Sequence, residues 1–373
     1  MYQKAFILGA SGNVGRELVQ QIGTYDNIHK APHPTQIVGI TNSQKFLFDA
    51  NGIHPNILKE VGENKEKATK VIDNGENIGK LTQLVEFIKK EGLDGEIVFI
   101  DVTAGKDELL DFHLKVINDS KNSLVTANKN PLSIYSMDVF RLLNMYNGKY
   151  DTNTTVMGGA GILNFVNDRT NKISDKINYI SGMFSGTLGY IMSELDKLEK
   201  PFSEIVKDAK NKGYTEPNPW DDLNGLDVAR KLIILARYSG LNVDLNDIEI
   251  APLINNKYSN YKGDEFFQAI KEEDENFKKL VLEKRDIGEV LRYVGEVIII
   301  EGQVKLKVGL KSVPINGDLG NLKGTSNIAI IETDILKDPY PHVIKSRGAG
   351  LGVTAGSVRI GIKKMLPHNI ISG

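Results

Sequence analysis

The feature that most constrains the fold of this chain is a glycine-rich turn near its start. An apolar run at 4–9 and a segment with helical periodicity at 14–22 flank it, and the turn reads Gly9-Ala10-Ser11-Gly12-Asn13-Val14-Gly15. Glycines let the backbone approach an anion closely, and the start of a helix offers free N–H groups and a favourable dipole. An ordinary strand–helix turn is the alternative. The position between strand and helix favours a turn that binds the pyrophosphate of a dinucleotide, through Gly9, Ser11, Gly12, Asn13, Val14 and Gly15.

The alternation of strands and helices continues through the first 150 residues. Strands are predicted at 35–41, 96–102 and 123–126, and helices at 59–70, 81–91 and 107–120. This alternation is typical of a parallel sheet that is wrapped by helices. We therefore expect an α/β fold with an N-terminal Rossmann-type dinucleotide-binding domain.

The pattern changes after about residue 150. Strands are predicted at 154–157 and 177–184, helices at 187–198, 202–212 and 227–239, antiparallel strands within 289–310 and 329–333, and a last helix introduced by the small residues of 348–355. Such a helix can pack closely against a cofactor or another backbone. A second, mixed α/β domain is the expected result.

Composition narrows the classes of function. The chain has 373 residues, 40% of them hydrophobic, which is enough for two sizeable cores. Its formal net charge of -2 gives no reason to expect nucleic acid or an anionic membrane as a partner. Without a long apolar run or a signal-peptide pattern, the expected location is the cytoplasm. The absence of cysteine excludes disulfides, thiolate metal sites and thiol nucleophiles.

An acidic loop in the middle of the chain runs directly into a helix. The loop and the helix start read Gly213-Tyr214-Thr215-Glu216-Pro217-Asn218-Pro219-Trp220-Asp221-Asp222-Leu223-Asn224-Gly225-Leu226-Asp227-Val228-Ala229-Arg230-Lys231. Asp227 and Lys231 are four residues apart, so that they lie on one helix face within pairing distance. A loop this acidic, stiffened by proline, suits a site that holds a small molecule with an ammonium group. The alternative is an ion-paired surface helix beside a polar loop.

Two further segments carry candidate site residues. Lys129 follows the strand at 123–126 and is predicted to point into the cleft, because ligands of open parallel sheets lie at the carboxyl ends of the strands. Thr103 follows the preceding strand and is placed on the nicotinamide side by the same argument. Gly186 and Thr187 open a helix whose free N–H groups could bind a substrate carboxylate, although a purely structural helix cap is the simpler interpretation.

The end of the second strand bears on the choice of cofactor. An acidic residue there would bind the ribose hydroxyls of NAD. This chain has Thr41-Asn42-Ser43-Gln44-Lys45 instead, and polar groups with a lysine suit a 2′-phosphate better. We therefore favour NADP, with NAD as the alternative.

Taken together, these segments resemble one family, homoserine dehydrogenase. The stretch at 213–231 resembles the family's signature, and the glycine turn, the TANK segment at 126–129, the SGTLGYI segment at 185–191 and the terminal GAG…VTA segment occur in the family's order. The resemblance implies interconversion of L-homoserine and L-aspartate 4-semialdehyde in threonine, methionine and isoleucine biosynthesis. It implies a homodimer, a dinucleotide-binding domain at 1–150, a catalytic and dimerisation domain at 151–340, and a segment at 341–373 that returns to the first domain.

The resemblance also implies roles for individual residues. Lys231 matches the proton donor and Lys129 a second lysine at the reaction centre near the nicotinamide. Asp227 matches a substrate-binding acid and is expected to position Lys231 for catalysis. Substrate-binding positions are Glu216, Asp222, Gly186, Thr187 and Tyr214. Cofactor contacts include Gly12, Asn13, Val14, Thr103, Lys129 and Gly350. A monovalent cation, Na⁺ or K⁺, is expected at the backbone carbonyls of Val156, Gly158 and Ala160.

The sequence departs from the family in three places. The glycine turn is one residue longer than the commonest form, Asn153 stands where a glutamate usually serves the cation site, and Gln44 stands where NADP-preferring members often carry arginine. We expect a short form, without an aspartate kinase before it or a regulatory domain after it.

Three other functions are alternatives to this one. Aspartate-semialdehyde dehydrogenase has a similar turn but needs a cysteine nucleophile, which this chain lacks. A reductase for another amino acid or for a sugar phosphate stays open. A catalytically silent NADP-binding sensor would not need Lys129, Lys231 and Asp227 together.

Overall fold

The computed structural model describes residues 3–28, 34–145, 148–347 and 350–365. The chain folds into two compact units. The first comprises Met1–Gly159 together with Gly350–Gly373, and the second comprises Ala160–Ala349. The polypeptide therefore leaves the first unit once and comes back to it.

The first unit is built on a seven-stranded sheet. Its strands are β1 (Gln3–Leu8), β2 (Thr35–Thr41), β3 (Lys45–Phe48), β4 (Glu76–Asn77), β5 (Ile97–Asp101), β6 (Ser123–Thr126) and β7 (Tyr150–Asp151). Their order in space is β4-β3-β2-β1-β5-β6-β7. Five neighbouring strands of this sheet are parallel, namely β2, β1, β5, β6 and β7. At one edge β3 pairs antiparallel with β2, and β4 pairs antiparallel with β3. The direction of the strand order reverses between β1 and β5, which is where such sheets bind their ligands.

Helices cover both faces of this sheet. They are Asn13–Gln21, Pro55–Glu63, Lys65–Ile72, Thr82–Lys90, Asp107–Asp119, Asn130–Ser133, Met137–Asn144 and Leu351–Lys364. The central strand β1 is buried on both sides, since Ala5 and Ile7 belong to one apolar cluster and Phe6 and Leu8 to the other. A strand with two buried faces is typical of a parallel sheet.

The helix Leu351–Lys364 is attached to the first unit by ion pairs to a buried carboxylate. The carboxylate of Asp26, which is fully buried, bonds to Arg359 at 2.5 Å and to Lys363 at 2.8 Å. Burial would raise the pKa of Asp26, but the hydrogen bonds from Lys363, Thr35 and Arg359 outweigh it and lower the pKa. A Cβ on Gly361 would lie only 2.8 Å from the Val125 side chain, so the helix packs as closely as its small residues predict.

The second unit contains a six-stranded, mostly antiparallel sheet. Its strands are β8 (Ile177–Met183), β9 (Ile248–Ile250), β10 (Glu289–Ile300), β11 (Gln303–Pro314), β12 (Ser326–Thr333) and β13 (His342–Arg347), in the spatial order β13-β12-β8-β10-β11-β9. Only the pairing of β9 with β11 among these is parallel. The helices of this unit are Ile162–Asn167, Gly186–Leu195, Phe202–Asn211, Trp220–Leu223, Leu226–Tyr238, Gly263–Ala269 and Asp274–Asp286.

The α/β class with a Rossmann-type sheet is confirmed, but two local predictions are wrong. The helix expected at 59–70 is two helices, because Asn64 adopts an extended backbone (φ -158°) and its side chain caps the second helix at Lys67 N–H. The strand expected at 154–157 is a pair of short 3₁₀ turns, Asn153–Thr155 and Met157–Gly159. Threonine and valine give that segment a strand-like composition. The chain turns there instead, because Met157 and the two glycines after it all have positive φ angles.

No helix within the described ranges is both long enough and apolar enough to cross a bilayer.

Candidate active site

The glycine turn of the first unit is folded tightly onto the start of the helix Asn13–Gln21. Gly9 has a left-handed backbone (φ 83°) and its carbonyl accepts the Gly12 N–H at 2.9 Å. A Cβ on Gly15 would lie 2.3 Å from the Gly9 oxygen and 2.7 Å from Ala10 Cα, so only glycine fits there. Gly12 is the N-cap and has no side chain that could occupy the first helical N–H groups. These groups are therefore available to an anion, and the turn fits a dinucleotide pyrophosphate.

The loop after β2 leads to Lys45, the residue on which the predicted preference for NADP partly depends. Asn42 Oδ1 accepts the backbone N–H groups of Gln44 and Lys45 at 2.9 and 2.8 Å. The Lys45 ammonium donates to the Asp73 carbonyl at 2.9 Å, at the C-terminal end of the helix Lys65–Ile72. Lys45 thus satisfies a helix end, where a cation is favourable. The exposed side chains of Ser43 and Gln44 are the polar groups left at this edge.

The loops that follow β5 and β6 are tied to each other. Asn128 donates to the Gly105 carbonyl at 3.0 Å, and Asn130 donates to the carbonyls of Ala104 and Gly105 at 3.1 and 2.9 Å. Lys129 lies between these two asparagines, half-buried. The backbone position of Lys129 is therefore fixed by buried amides on both sides.

Thr103 lies against the glycine turn. A Cβ on Gly9 would be 2.9 Å from Thr103 Cγ2, and the Thr103 hydroxyl and N–H both donate to Asp101 Oδ1. The first unit thus brings the turn and Thr103 together, and their contact with a cofactor stays a prediction. Gly350 is the exposed N-cap of the helix Leu351–Lys364.

In the second unit, the helix Gly186–Leu195 begins next to the acidic loop. Ser185 Oγ accepts the Leu188 N–H at 3.2 Å, so the predicted helix cap is present. The Thr187 hydroxyl donates to the Tyr214 carbonyl at 2.5 Å and lies 3.1 Å from Asp222 Oδ1. The loop is therefore fastened to the start of this helix through Thr187.

Asp222 organises the loop and has an unusual protonation equilibrium. Its Oδ2 accepts the Glu216 N–H at 2.8 Å. Burial raises the pKa of Asp222 to about 7, and the nearby carboxylates of Glu216 and Asp227 add to this effect, against the hydrogen bonds from Glu216 N–H and Thr187. Both oxygens of Asp222 are thus in use within the protein, whereas the Glu216 side chain is exposed at the surface of the loop.

The raised pKa predicts a specific pH dependence of stability. The folded protein holds the Asp222 proton more tightly than the unfolded chain does. The stabilisation of the fold by this proton is therefore complete below about pH 4 and is lost as the pH rises through about 7. Wild type should therefore lose more free energy of unfolding between pH 5 and pH 8 than Asp222→Asn, by up to about 2 kcal/mol. Urea unfolding at the two pH values measures this. Asp221→Asn, at the exposed neighbouring position, should behave like wild type; equal pH dependence in all three proteins would contradict the assignment.

Lys231 is held in a defined position within the second unit. It lies on the helix Leu226–Tyr238, and its ammonium bonds to Asp227 Oδ2 at 2.6 Å and donates to the Phe184 carbonyl at 2.6 Å. The side chain is only 13% exposed. Phe184 lies just before the helix that begins at Gly186, so Lys231 is anchored beside that helix start. A fixed ammonium of this kind can stabilise or protonate an oxyanion.

Sequence reasoning missed a group of residues that supports Tyr214. The Tyr214 ring packs edge-on against Tyr190, with centroids 5.1 Å apart. The Tyr190 hydroxyl bonds to Asp208 at 2.5 Å and to Lys212 at 2.8 Å. Burial and the hydrogen bond to Asp208 raise the pKa of Tyr190. The i, i+4 spacing of Asp208 and Lys212 predicts an ion pair, but it does not predict the contact of that pair with Tyr190.

Two of the three carbonyls predicted to hold a monovalent cation accept hydrogen bonds from within the first unit. Val156 and Gly158 belong to the first unit and Ala160 begins the second. The Val156 oxygen accepts the Gly159 N–H, and the Gly158 oxygen accepts a hydrogen bond from the Ser357 hydroxyl. Asn153 bonds to Asp151 at 2.8 Å. Among the described residues there is no group of three or more His, Asp or Glu that could hold a metal. The cation site stays a prediction.

Comparison with known proteins gives a consistent family. A model of the homoserine dehydrogenase family matches residues 162–361. The bifunctional aspartokinase/homoserine dehydrogenase of Haemophilus influenzae is 32% identical over 368 residues, which are 97% of this chain and 43% of that protein. The homoserine dehydrogenase of Saccharomyces cerevisiae is 33% identical over 273 residues, 70% of this chain and 73% of that one.

Solved structures agree on the fold. A hyperthermophilic archaeal homoserine dehydrogenase in complex with NADPH superposes with a TM-score of 0.70 at 22% identity, covering 98% of both chains. At this identity the likeness speaks for the fold. The chain spans less than half the length of the bifunctional relatives it matches.

Proposed function

The chain belongs to the homoserine dehydrogenase family, and from this premise we propose that it interconverts L-homoserine and L-aspartate 4-semialdehyde with a nicotinamide dinucleotide. The observation that carries the proposal is the anchoring of Lys231 by Asp227 and the Phe184 carbonyl, at 2.6 Å each, beside the start of the helix Gly186–Leu195. A sensor protein or a structural helix would not need a lysine fixed in this way next to an acidic loop.

The proposed role of Lys231 follows from the charge that develops in the reaction. When the aldehyde is reduced, its oxygen becomes alkoxide-like and calls for a cation or a proton donor within hydrogen-bond reach. Two partners already orient the Lys231 ammonium, so no ordering is required at the moment of reaction. Asp227 acts here as a positioning residue. Lys129, fixed between Asn128 and Asn130, is the proposed second lysine of the reaction centre.

Substrate binding is assigned to the loop and the helix start of the second unit. The exposed Glu216 carboxylate is the proposed partner of the substrate ammonium. The first N–H groups of the helix at Gly186 and Thr187 are the proposed partners of the substrate carboxylate. Asp222 keeps Tyr214 and Glu216 in place through its bonds to Glu216 N–H and Thr187. This division differs from the sequence prediction, in which Asp222 met the substrate directly.

The cofactor is proposed to bind at the glycine turn of the first unit. The dinucleotide supplies or accepts the hydride, and the chain's contribution is the close turn at Gly9 and Gly15, the free N–H groups after Gly12 and the contact surface of Thr103. We favour NADP, and the NADPH complex of the archaeal structure lends support. NAD is the alternative, because Lys45 is engaged by the Asp73 carbonyl.

Other parts of the proposal rest on the family resemblance. They are a homodimer, a cytoplasmic location, a place in threonine, methionine and isoleucine biosynthesis, and a Na⁺ or K⁺ ion at Val156, Gly158 and Ala160. The 46 lysines and arginines nearly balance the 48 aspartates and glutamates, and the formal net charge of -2 is compatible with a small-molecule enzyme rather than a binder of nucleic acid.

The test is an absorbance assay at the reduced nicotinamide band. Purified protein with L-homoserine, a monovalent salt, and NADP or NAD in parallel should reduce the dinucleotide only when homoserine is present. The ratio of the two rates decides the cofactor preference. A folded protein that binds NADP but reduces neither dinucleotide with homoserine would overturn the proposal and favour another substrate.

A further inference from the structure

A buried carboxylate lies behind Thr103 and has no role in the chemistry proposed above. Asp101 ends β5, the neighbour of β1 where the strand order reverses, and its side chain is fully buried. Its Oδ1 accepts the Thr103 N–H and hydroxyl at 2.9 and 2.7 Å. Its Oδ2 lies 3.0 Å from His113 Nε2 and 3.4 Å from the Thr126 hydroxyl. Every oxygen of the carboxylate is thus engaged, and none faces solvent.

The partners of Asp101 keep it ionised. Burial by itself would raise the pKa of Asp101, but the hydrogen bonds from His113 and Thr103 outweigh burial and lower the pKa. His113 is also fully buried, and its Nδ1 lies 2.9 Å from the Tyr150 hydroxyl. A neutral imidazole can make both contacts, with its Nε2–H donating to Asp101 and its Nδ1 accepting from the Tyr150 hydroxyl. With His113 in that form, the Asp101 carboxylate places a net negative charge in an interior where charges are weakly screened.

This charge is connected to the cofactor turn through one residue. Thr103 bonds to Asp101 on one side and packs on the other against Gly9, the first glycine of the turn. In open α/β sheets a dinucleotide crosses the carboxyl ends of the strands at the point where the strand order reverses. The end of β5 is therefore among the parts of the first unit that a bound dinucleotide meets after leaving the turn.

From this arrangement we propose that Asp101 sets which oxidation state of the dinucleotide the protein binds more tightly. The oxidised form has a positively charged nicotinamide ring and the reduced form a neutral one, so a buried carboxylate near the end of β5 favours the oxidised form. A protein that favours the oxidised dinucleotide makes its bound reduced dinucleotide a better hydride donor, which assists reduction of the aldehyde. The inference rests on the proposed dinucleotide binding and adds a residue that selects by charge.

The test is a ratio of two affinities. The dissociation constant of NADPH is measured by its fluorescence on titration with the full chain, and that of NADP⁺ by displacement of NADPH. Asp101→Asn keeps the shape of the side chain but removes its charge. We expect the variant to shift the ratio of the two constants by about five- to tenfold in favour of NADPH. A general loosening of the loop would weaken both affinities together and leave the ratio unchanged.

Thr103→Val is the matched control. It removes the hydrogen bond from the Thr103 hydroxyl to Asp101 but leaves the Asp101 carboxylate and its charge in place. The affinities for NADPH and NADP⁺ can both decrease in this variant, but their ratio should stay within about twofold of the wild-type value. A fivefold shift of the ratio in Thr103→Val, or an unchanged ratio in Asp101→Asn, would overturn the proposal. If Asp101→Asn is not recovered in folded form, Asp101→Ser carries the same expectation.

Failure of the proposed function is distinguishable from failure of this inference. Wild-type protein that shows no reduction with homoserine, while Asp101→Asn still shifts the affinity ratio, would reject the enzyme activity and retain the role of Asp101. If neither NADP⁺ nor NADPH binds, the same titration is made with NAD⁺ and NADH. Absence of binding for both pairs would overturn the role of Asp101 as well.

Discussion

Lys231→Ala should lower kcat for homoserine oxidation by about a thousandfold, the usual range for loss of a positioned proton donor. The expectation follows from the bonds of the Lys231 ammonium to Asp227 and to the Phe184 carbonyl, because alanine leaves both without a cation and leaves the developing oxyanion without its donor. The fold should persist, since the helix Leu226–Tyr238 keeps its buried apolar face (Val228, Leu232 and Leu235) and alanine is a good helix former.

The measurement is steady-state turnover at saturating homoserine and dinucleotide, beside circular dichroism and a thermal melt. Lys278→Ala is the matched control, because it makes the same change at an exposed position on the helix Asp274–Asp286 of the same unit. This control should retain wild-type turnover. If folded Lys231→Ala turns over within about tenfold of wild type, the proton-donor role is wrong.

Gly15→Ala is expected to weaken the binding of NADPH by about a hundredfold or more, because the added methyl group has no room. Its Cβ would stand 2.3 Å from the Gly9 oxygen and 2.7 Å from Ala10 Cα. Both are backbone atoms, so relief requires the whole turn to move and with it the N–H groups that would hold the pyrophosphate. Fluorescence titration of NADPH gives the change in affinity.

Gly23→Ala supplies the control within the same unit. A Cβ at Gly23 meets no atom within 4 Å in the described part of the chain, so NADPH affinity should be unchanged. Gly12→Ala gives a graded comparison, since its Cβ would lie 3.2 Å from the Gly9 oxygen, and a smaller loss is expected. Wild-type affinity in folded Gly15→Ala would show that this turn is not the binding site.

The parts of the fold that follow from local pattern were predictable. The bounds of β2 and β6 agree residue for residue with the strands expected from the sequence, because a buried parallel strand is a short apolar run with sharp ends. The pairing of Asp227 with Lys231 follows from helical spacing and is present at 2.6 Å. By contrast, the 3₁₀ turns at 153–159 depend on backbone angles that cannot be predicted from the threonine and valine residues of this segment.

The parts of the site that depend on tertiary burial were not predictable. Asp101 and His113 are twelve residues apart on a strand and a helix, so their contact needs the folded sheet. The altered protonation of Asp222 likewise requires knowing that its carboxylate is buried and used by Thr187 and Glu216 N–H. The residue types of the candidate site could be predicted from the sequence. The proposed division into a substrate contact, Glu216, and a support, Asp222, depends on hydrogen bonds that only the folded protein shows.

The discontinuity of the first unit has a consequence for how the protein matures on the ribosome. Residues 160–349 emerge before the helix Leu351–Lys364, so the second unit can finish folding while the first still lacks that helix. Until Arg359 and Lys363 have been synthesised, the Asp26 carboxylate lacks these two cationic partners. The apolar residues Ala355, Val358 and Ile362 are likewise still missing from their cluster. A nascent chain arrested before residue 350 should therefore be more easily cut by protease within its first 159 residues than within the inserted unit.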